Sequence, residues 1–113
     1  MPAEPRHTLV IALEVHDHEI YERYRAGMRP ILEEYAGRFD WDIRGGEVLS
    51  SPDAVPANRF FALSFAERDQ RVAFFADPRY KAVRSEFFDA SVSAVHSILE
   101  SGAEALAPPL PDG

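Results

Sequence analysis

The order in which hydrophobic periodicity changes along the chain constrains its fold more than any other feature. An aliphatic, β-branched run from His7 to Val15 predicts a strand, and apolar residues at helical spacing from Ile20 to Tyr35 predict a helix. Two more strands, a helical stretch in two pieces and a final strand follow, in the runs Arg38–Leu49, Arg59–Phe65, Glu67–Phe87 and "SVSAVHSIL". The resulting order, βαββαβ, predicts an α+β protein with a ferredoxin-like, four-stranded antiparallel sheet and both helices on one face.

Short polar motifs mark where these elements begin and end. Asp17 precedes the first helical stretch, so His16-Asp17-His18 is predicted to be a capping turn rather than a metal site. Asp77 followed by Pro78 has the favoured order for starting the second piece of the later helix. Gly45-Gly46 predicts a bulge or bend near the end of the second strand.

Composition narrows the classes of protein to which the chain can belong. Its 113 residues suit one domain, predicted over 7–102, between a disordered N-terminus (1–6) and a Pro-rich flexible tail (103–113). The absence of cysteine excludes disulfides and thiolate chemistry, and no metal or cofactor is predicted. The net charge of −7 argues against nucleic acid as a partner. Without a signal peptide or a membrane-spanning run, the protein is predicted to be cytoplasmic.

The two faces of the predicted sheet differ in character. The face under the helices is predicted to carry Leu9, Ile11, Leu13, Phe39, Trp41, Ile43, Phe61, Leu63 and Phe65. The other face is too apolar to stay in water, so we expect it to meet a second copy in a homodimer. The predicted interface consists of Val10, Ala12, Phe60 and a charged row formed by Arg38, Asp40, Asp42 and Arg44.

The charged row could instead be a catalytic pair of carboxylates. Residues two apart on a strand share a face, so Asp40 and Asp42 would lie about 7 Å apart. An adjacent guanidinium keeps a carboxylate ionised, however, and Arg38 and Arg44 flank the pair. The row is therefore predicted to be an ion-paired strand face at the rim of the dimer.

A dense aromatic set has two interpretations, a plain core or a pocket for a flat apolar ligand between sheet and helices. In the second interpretation Arg84 supplies a cation for a carboxylate or enolate. His96, in the last strand, is predicted to point toward the helices, where a hydrogen-bonded core residue is the favoured role over a base or a haem ligand. The predicted ligand residues are Tyr21, Tyr24, Trp41, Tyr80, Arg84 and His96.

Several short motifs, in their order, resemble one known family. They are Tyr21-x-x-Tyr24, Pro30, Tyr35-Ala36-Gly37-Arg38, Arg44-Gly45-Gly46, Arg59, and Phe74-Phe75-x-Asp77-Pro78-x-Tyr80. The chain resembles the domain of unknown function 1330 family, within the dimeric α/β-barrel superfamily. The resemblance implies the fold and a dimer. Relatives in the superfamily include cofactor-independent monooxygenases acting on aromatic polyketides, haem-degrading enzymes and small stress-response proteins.

The chain departs from the family pattern at three places. Ala36 stands where a first Gly is usual, the run from Gly37 to Arg44 is longer than typical, and Phe87 stands where many members carry Arg. Three functions stay open: a small-molecule-binding protein, a cofactor-independent oxygenase or isomerase acting on an aromatic substrate, and a structural dimer without ligand. In the enzyme, Tyr24 or His96 would transfer the proton.

Overall fold

The computed structural model describes residues 6–101, and its elements follow the predicted order. They are β1 (His7–Val15), α1 (His18–Glu34), β2 (Gly37–Arg44), β3 (Arg59–Phe65), α2 (Arg68–Ala76), α3 (Pro78–Val83) and β4 (Val92–Ser101). Between α3 and β4 the helix continues as a π-helical turn (Arg84–Phe88) and one last α-helical turn (Asp89–Ser91). The predicted N-terminus, 1–6, lies outside the described residues except for Arg6, and so does the predicted tail, 103–113.

The four strands form one antiparallel sheet in the order β2-β3-β1-β4. Pairing sets Leu9 opposite Leu63 and Ile11 opposite Phe61. The helices pack on one side of this sheet, here called the helix-covered face, and the opposite side is the open face. The buried core of the helix-covered face contains Leu9, Ile11, Leu13, Val15, Tyr21, Tyr24, Met28, Ile31, Leu32, Leu63, Phe65, Phe74, Tyr80 and Phe88. The predicted α+β, ferredoxin-like fold is confirmed.

The first helix has the predicted start and a tightly packed end. The Asp17 carboxylate accepts a hydrogen bond from the Ile20 amide at 3.1 Å, which satisfies one of the free donors of the first turn. After the helix, Ala36 adopts a left-handed φ of 58°. A Cβ atom on Gly37 would collide with Leu32 and Phe65, so β2 can begin there only with glycine.

A β-bulge in the middle of β2 reverses the side-chain direction of the residues that follow it. Phe39 lies opposite Leu63 and Trp41 lies opposite the next residue, Ala62, so Asp40 has no partner across the strands. An unpaired residue shifts the two-residue alternation by one position. The prediction that Trp41 and Ile43 lie under the helices is therefore wrong: they lie on the open face, with 69% and 51% of their surfaces exposed.

A second irregularity has the same effect in β4. Val92 pairs with Val15, whereas Ala94 pairs with Glu14, so Ser93 is the additional residue. His96 consequently lies opposite Ala12 and belongs to the open face. The prediction that His96 points toward the helices is wrong for the same reason, because alternation along a strand does not reveal where an unpaired residue interrupts it.

Candidate functional site

A cavity of about 350 Å³ lies on the open face of the sheet. The strands form its floor and the loop between β2 and β3 forms its wall. The lining residues are Ala12, Val48, Ser50, Ser51, Pro52, Val55, Ala57, Phe60, His96 and Ile98. The lining is mostly apolar, and the volume is at the lower end of that found for small-molecule sites.

The wall of this cavity is a loop that is fastened at both of its ends. Gly45 and Gly46 leave β2 with φ of +93° and +94°, a conformation that favours glycine. The Gly45 amide donates to the Asn58 carbonyl at 2.8 Å. The Asn58 side chain in turn accepts from the Val15 amide and donates to the Val15 carbonyl, both at 2.8 Å. These bonds hold the returning end of the loop against the end of β1, so the wall has a fixed position relative to the floor.

His96 is the titratable residue in the lining of the cavity. Its imidazole can donate one hydrogen bond and accept another, or carry a proton. Ser50 and Ser51 add hydroxyl groups to an otherwise apolar surface. The arrangement can hold a largely apolar molecule and fix one polar group on it.

The predicted ligand residues are not brought together. Tyr21, Tyr24 and Tyr80 are buried on the helix-covered face. The hydroxyl groups of Tyr24 and Tyr80 hydrogen-bond to each other at 2.9 Å, and burial raises the pKa of both. Their rings pack edge to face, with centroids 6.3 Å apart. These hydroxyl groups therefore stay protonated, and their hydrogen bonds lie within the protein.

The other three predicted ligand residues occupy separate places. Trp41 and His96 share the open face, and only His96 lines the cavity. Arg84 lies in the π-helical turn, with its guanidinium 4.9 Å from the centroid of the Phe88 ring. A ligand role for these residues stays a prediction, and the set is divided between the two faces.

Sequence reasoning missed an ion cluster on the helix-covered face, made of Arg25, Asp42, Arg59 and Glu22 and called here the Asp42 cluster. Its two arginines are buried, whereas the side chains of Asp42 and Glu22 are 29% and 54% exposed. Arg25 holds both carboxylate oxygens of Asp42, at 2.9 and 3.3 Å. Arg59 holds the same two oxygens at 3.0 Å each and also reaches Glu22 at 3.4 Å. The cluster thus ties α1 to β2 and β3.

The cluster is neutral as a whole and packed among aromatic rings. Arg25 is 4% exposed, stacks 4.1 Å from the centroid of Phe39, and donates to the Tyr21 hydroxyl at 2.8 Å. A sequence signal existed, because Arg25 lies four residues after Tyr21 on the apolar stripe of the helix. An arginine on such a stripe needs a buried partner.

The Asp42 carboxylate is held in its ionised form. Burial by itself raises the pKa of Asp42, but the hydrogen bonds from Arg59 and the charge of Arg25 outweigh it, so the pKa lies below its ordinary value. The prediction that Arg38 and Arg44 keep this carboxylate ionised is wrong in its residues, because Arg25 and Arg59 hold it instead. Asp42 is accordingly a structural anion and not a general acid.

The charged row predicted at the dimer interface is split by the bulge. Arg38, ahead of it, forms an ion pair at 2.6 Å with Asp40, the unpaired residue of the bulge. Asp42 and Arg44 come after it and follow the alternation onto the helix-covered side. Of the predicted apolar interface residues, Val10, Ala12 and Phe60 lie on the open face as expected. Their contact with a second copy stays a prediction.

Two kinds of feature are absent from the part of the chain that the structure describes. Within residues 6–101, no three His, Asp or Glu side chains are grouped so that they could hold a metal ion. Among the described helices, none combines the length and apolar character needed to cross a membrane.

Solved structures share this fold at low sequence identity. A protein of unknown function from Rhodopseudomonas palustris superposes with a TM-score of 0.73 at 17% identity, covering 90% of this chain and 86% of that one. A dabb family protein with a ferredoxin-like fold from Mesorhizobium loti gives a TM-score of 0.59 at 14% identity, covering 82% and 92%. An antibiotic biosynthesis monooxygenase-like protein from Nitrosomonas europaea gives 0.54 at 15% identity, covering 91% and 95%. At these identities the likeness establishes the fold alone.

Sequence comparison establishes the family. No curated protein matches the chain. The profile of a domain of unknown function, DUF1330, matches residues 8–100. This range includes all the helices and strands except the first residue of β1 and the last residue of β4. The chain therefore belongs to the domain of unknown function 1330 family.

Proposed function

We propose that the protein binds a small, partly aromatic molecule in the open-face cavity and works as a homodimer. The observation that carries the proposal is the cavity itself, with a mostly apolar lining and one imidazole. It replaces the site between sheet and helices that the sequence suggested, because the tyrosines there hydrogen-bond within the protein. The cytoplasmic location expected from the sequence belongs to the same proposal.

The chemistry of the lining favours a flat ligand with one polar group. Phe60 and Ile98 offer apolar surface against which a ring can pack. His96 can hydrogen-bond to a hydroxyl or carbonyl group on that ring. A cavity of about 350 Å³ holds a ligand of one or two rings.

The open face also supports the homodimer. Four of its large apolar side chains are more than half exposed, namely Trp41, Ile43, Ile98 and Leu99. Exposed apolar surface of this kind is characteristic of an interaction site. Two copies packed through it would bury roughly 1,500 Å² in total, the usual size of a specific interface, and would close the mouth of the cavity.

Binding is tested with 2-naphthol as the probe, followed by NMR shifts of the backbone amides. We expect saturable shifts at Ala12, Phe60 and His96. Ala57→Phe, which fills the cavity from the loop, should weaken binding at least tenfold. Ala82→Phe adds the same side chain at an exposed position on α3 and should leave binding unchanged. Absence of binding to the unmodified protein, or equal binding by both variants, contradicts the proposal.

The dimer is tested separately with a charge on the open face. Ile43→Glu should shift sedimentation at micromolar concentration from dimer to monomer, because a carboxylate would be buried in the interface. Val72→Glu, at an apolar residue of α2 that is 40% exposed, is the matched control and should remain dimeric. Trp41, the only tryptophan, reports the same transition through its fluorescence. A protein that is monomeric before mutation would refute this part.

A second candidate function is a cofactor-independent oxygenase or isomerase acting on an aromatic substrate. The position of His96 in the cavity lining favours it, because proton transfer needs a titratable group beside the substrate. Tyr24, the other predicted base, is buried with its hydroxyl hydrogen-bonded to Tyr80. If the protein is an enzyme, His96→Ala should abolish turnover while 2-naphthol still binds. Binding without turnover leaves the first function, and a dimer without binding leaves a structural role.

A further inference from the structure

A second cavity, of about 330 Å³, lies beside β4 where the helix becomes π-helical. Its lining consists of Arg84, Phe88, Asp89, Val92, Ser93, Ala94 and Val95. None of these residues lines the open-face cavity, so the two are separate. At the β4 cavity, an arginine that is only 7% exposed borders open space.

The π-helical turn explains why three chemically different side chains meet at this cavity. The Asp89 amide bonds to the Arg84 carbonyl, five residues earlier, instead of the usual four. In such a turn the side chains four and five positions after Arg84 both lie beside it. Phe88 and Asp89 therefore flank the guanidinium, one as an apolar surface and the other as a charge.

The guanidinium of Arg84 lies near a carboxylate but is not hydrogen-bonded to it. Its Nη1 lies 3.8 Å from Oδ1 of Asp89, which is longer than a hydrogen bond. Its charge also acts on the Tyr80 hydroxyl, which is already bonded to Tyr24, and favours a lower pKa there against the effect of burial. A guanidinium has five donors in a planar fork that suits a carboxylate held by two bonds.

We propose that the β4 cavity binds a small organic carboxylate. The carboxylate occupies the fork of Arg84, and the apolar part of the ligand packs on Phe88, Val92 and Val95. Asp89, which is partly exposed, is displaced toward solvent when the ligand enters. The ligand thus replaces a loose ion pair with a tight one, and the apolar side chains of Phe88, Val92 and Val95 favour an organic anion over an inorganic one.

Titration of the full chain with benzoate tests this site, with NMR shifts of the amides of Val92–Val95 as the readout. Asp89→Asn removes the competing carboxylate and should tighten benzoate binding at least threefold. Glu86→Gln removes the same charge from an exposed residue of the same turn and should change binding less than twofold. Arg84→Gln should abolish binding, with its far-ultraviolet circular dichroism checked against the parent protein.

Two further probes make the test independent of whether Arg84→Gln folds. Benzyl alcohol, which has the ring without the charge, should bind at least tenfold more weakly than benzoate, and inorganic phosphate should produce no shifts at Val92–Val95. The proposal is overturned if benzyl alcohol or phosphate equals benzoate, or if Asp89→Asn binds benzoate no better than Glu86→Gln. None of these results affects the open-face cavity, since the two share no residue.

Discussion

The helix-covered face and the open face are built from the same four strands, yet they differ in which side chains are buried and which are exposed. On the helix-covered side, two buried arginines lie over aromatic rings, and both oxygens of the partly exposed Asp42 carboxylate are bonded to them. On the open face, Trp41 and Ile43 are exposed. On the helix-covered face, charged side chains are buried only together with polar partners. On the open face, exposed apolar side chains leave a surface for a ligand or a second chain.

The largest expected effect comes from truncating one apolar side chain on each face and comparing the losses of stability. Leu13 is fully buried under the helices, so Leu13→Ala should lower the free energy of unfolding by about 3 kcal/mol through lost burial and the cavity left behind. Trp41→Ala removes a larger side chain from the open face and should cost less than about 1 kcal/mol in the monomer. Urea denaturation in dilute protein measures both. Equal losses would mean that the open face is already covered within one chain.

A charge change inside the Asp42 cluster should have the next largest effect. Asp42→Asn keeps the shape of the side chain but leaves Arg25 and Arg59 facing a neutral group, so the free energy of unfolding should fall by about 2–3 kcal/mol. Asp40→Asn is the control, because its partner Arg38 is well exposed, and should cost at most about 0.5 kcal/mol. Urea midpoints distinguish the two variants. Similar losses in both would show that the cluster contributes no more than a surface ion pair.

The pH dependence of stability should carry the signature of the same cluster. The pKa of Asp42 is lower in the folded protein than the ordinary value of about 4 in an unfolded chain. Its contribution is therefore complete above that ordinary value and is lost as the pH falls through the folded pKa. The difference in unfolding free energy between the parent protein and Asp42→Asn should stay constant from about pH 6 to 8 and shrink below about pH 4. A difference in unfolding free energy that grows in acid would contradict this prediction.

The smallest expected effect is a gain. Ala36 has a φ of 58°, which costs a residue with a Cβ atom about 1 kcal/mol relative to glycine. Ala36→Gly should therefore raise the free energy of unfolding by about 0.5 kcal/mol after the greater entropy loss of glycine. Ala26→Gly, at an exposed position within α1, should lower it by about 1 kcal/mol. Thermal unfolding of the two variants should show midpoints displaced in opposite directions.

Element order and helix boundaries were predictable because their signals are local. Asp17, Asp77 and Pro78 act within one turn of where they stand, and the periodicity of β1 extends over its whole length. The faces of β2 and β4 were not predictable beyond Asp40 and Ser93, since alternation assumes that each residue has a partner. The two cavities were missed because a loop closes one and a π-helical turn shapes the other, and neither carries a periodic signal.

The unpaired Asp40 also bears on how relatives of this protein should be aligned. Within the run from Gly37 to Arg44, the bulge is where one additional residue is absorbed. A relative that lacks this one residue would have a regular strand with its tryptophan still outward and its aspartate still inward. A relative of the same length without the bulge would direct its tryptophan inward and its aspartate outward. The bulge is therefore a determinant of surface chemistry, and the position given to a one-residue gap in an alignment decides which residues of β2 are assigned to each face.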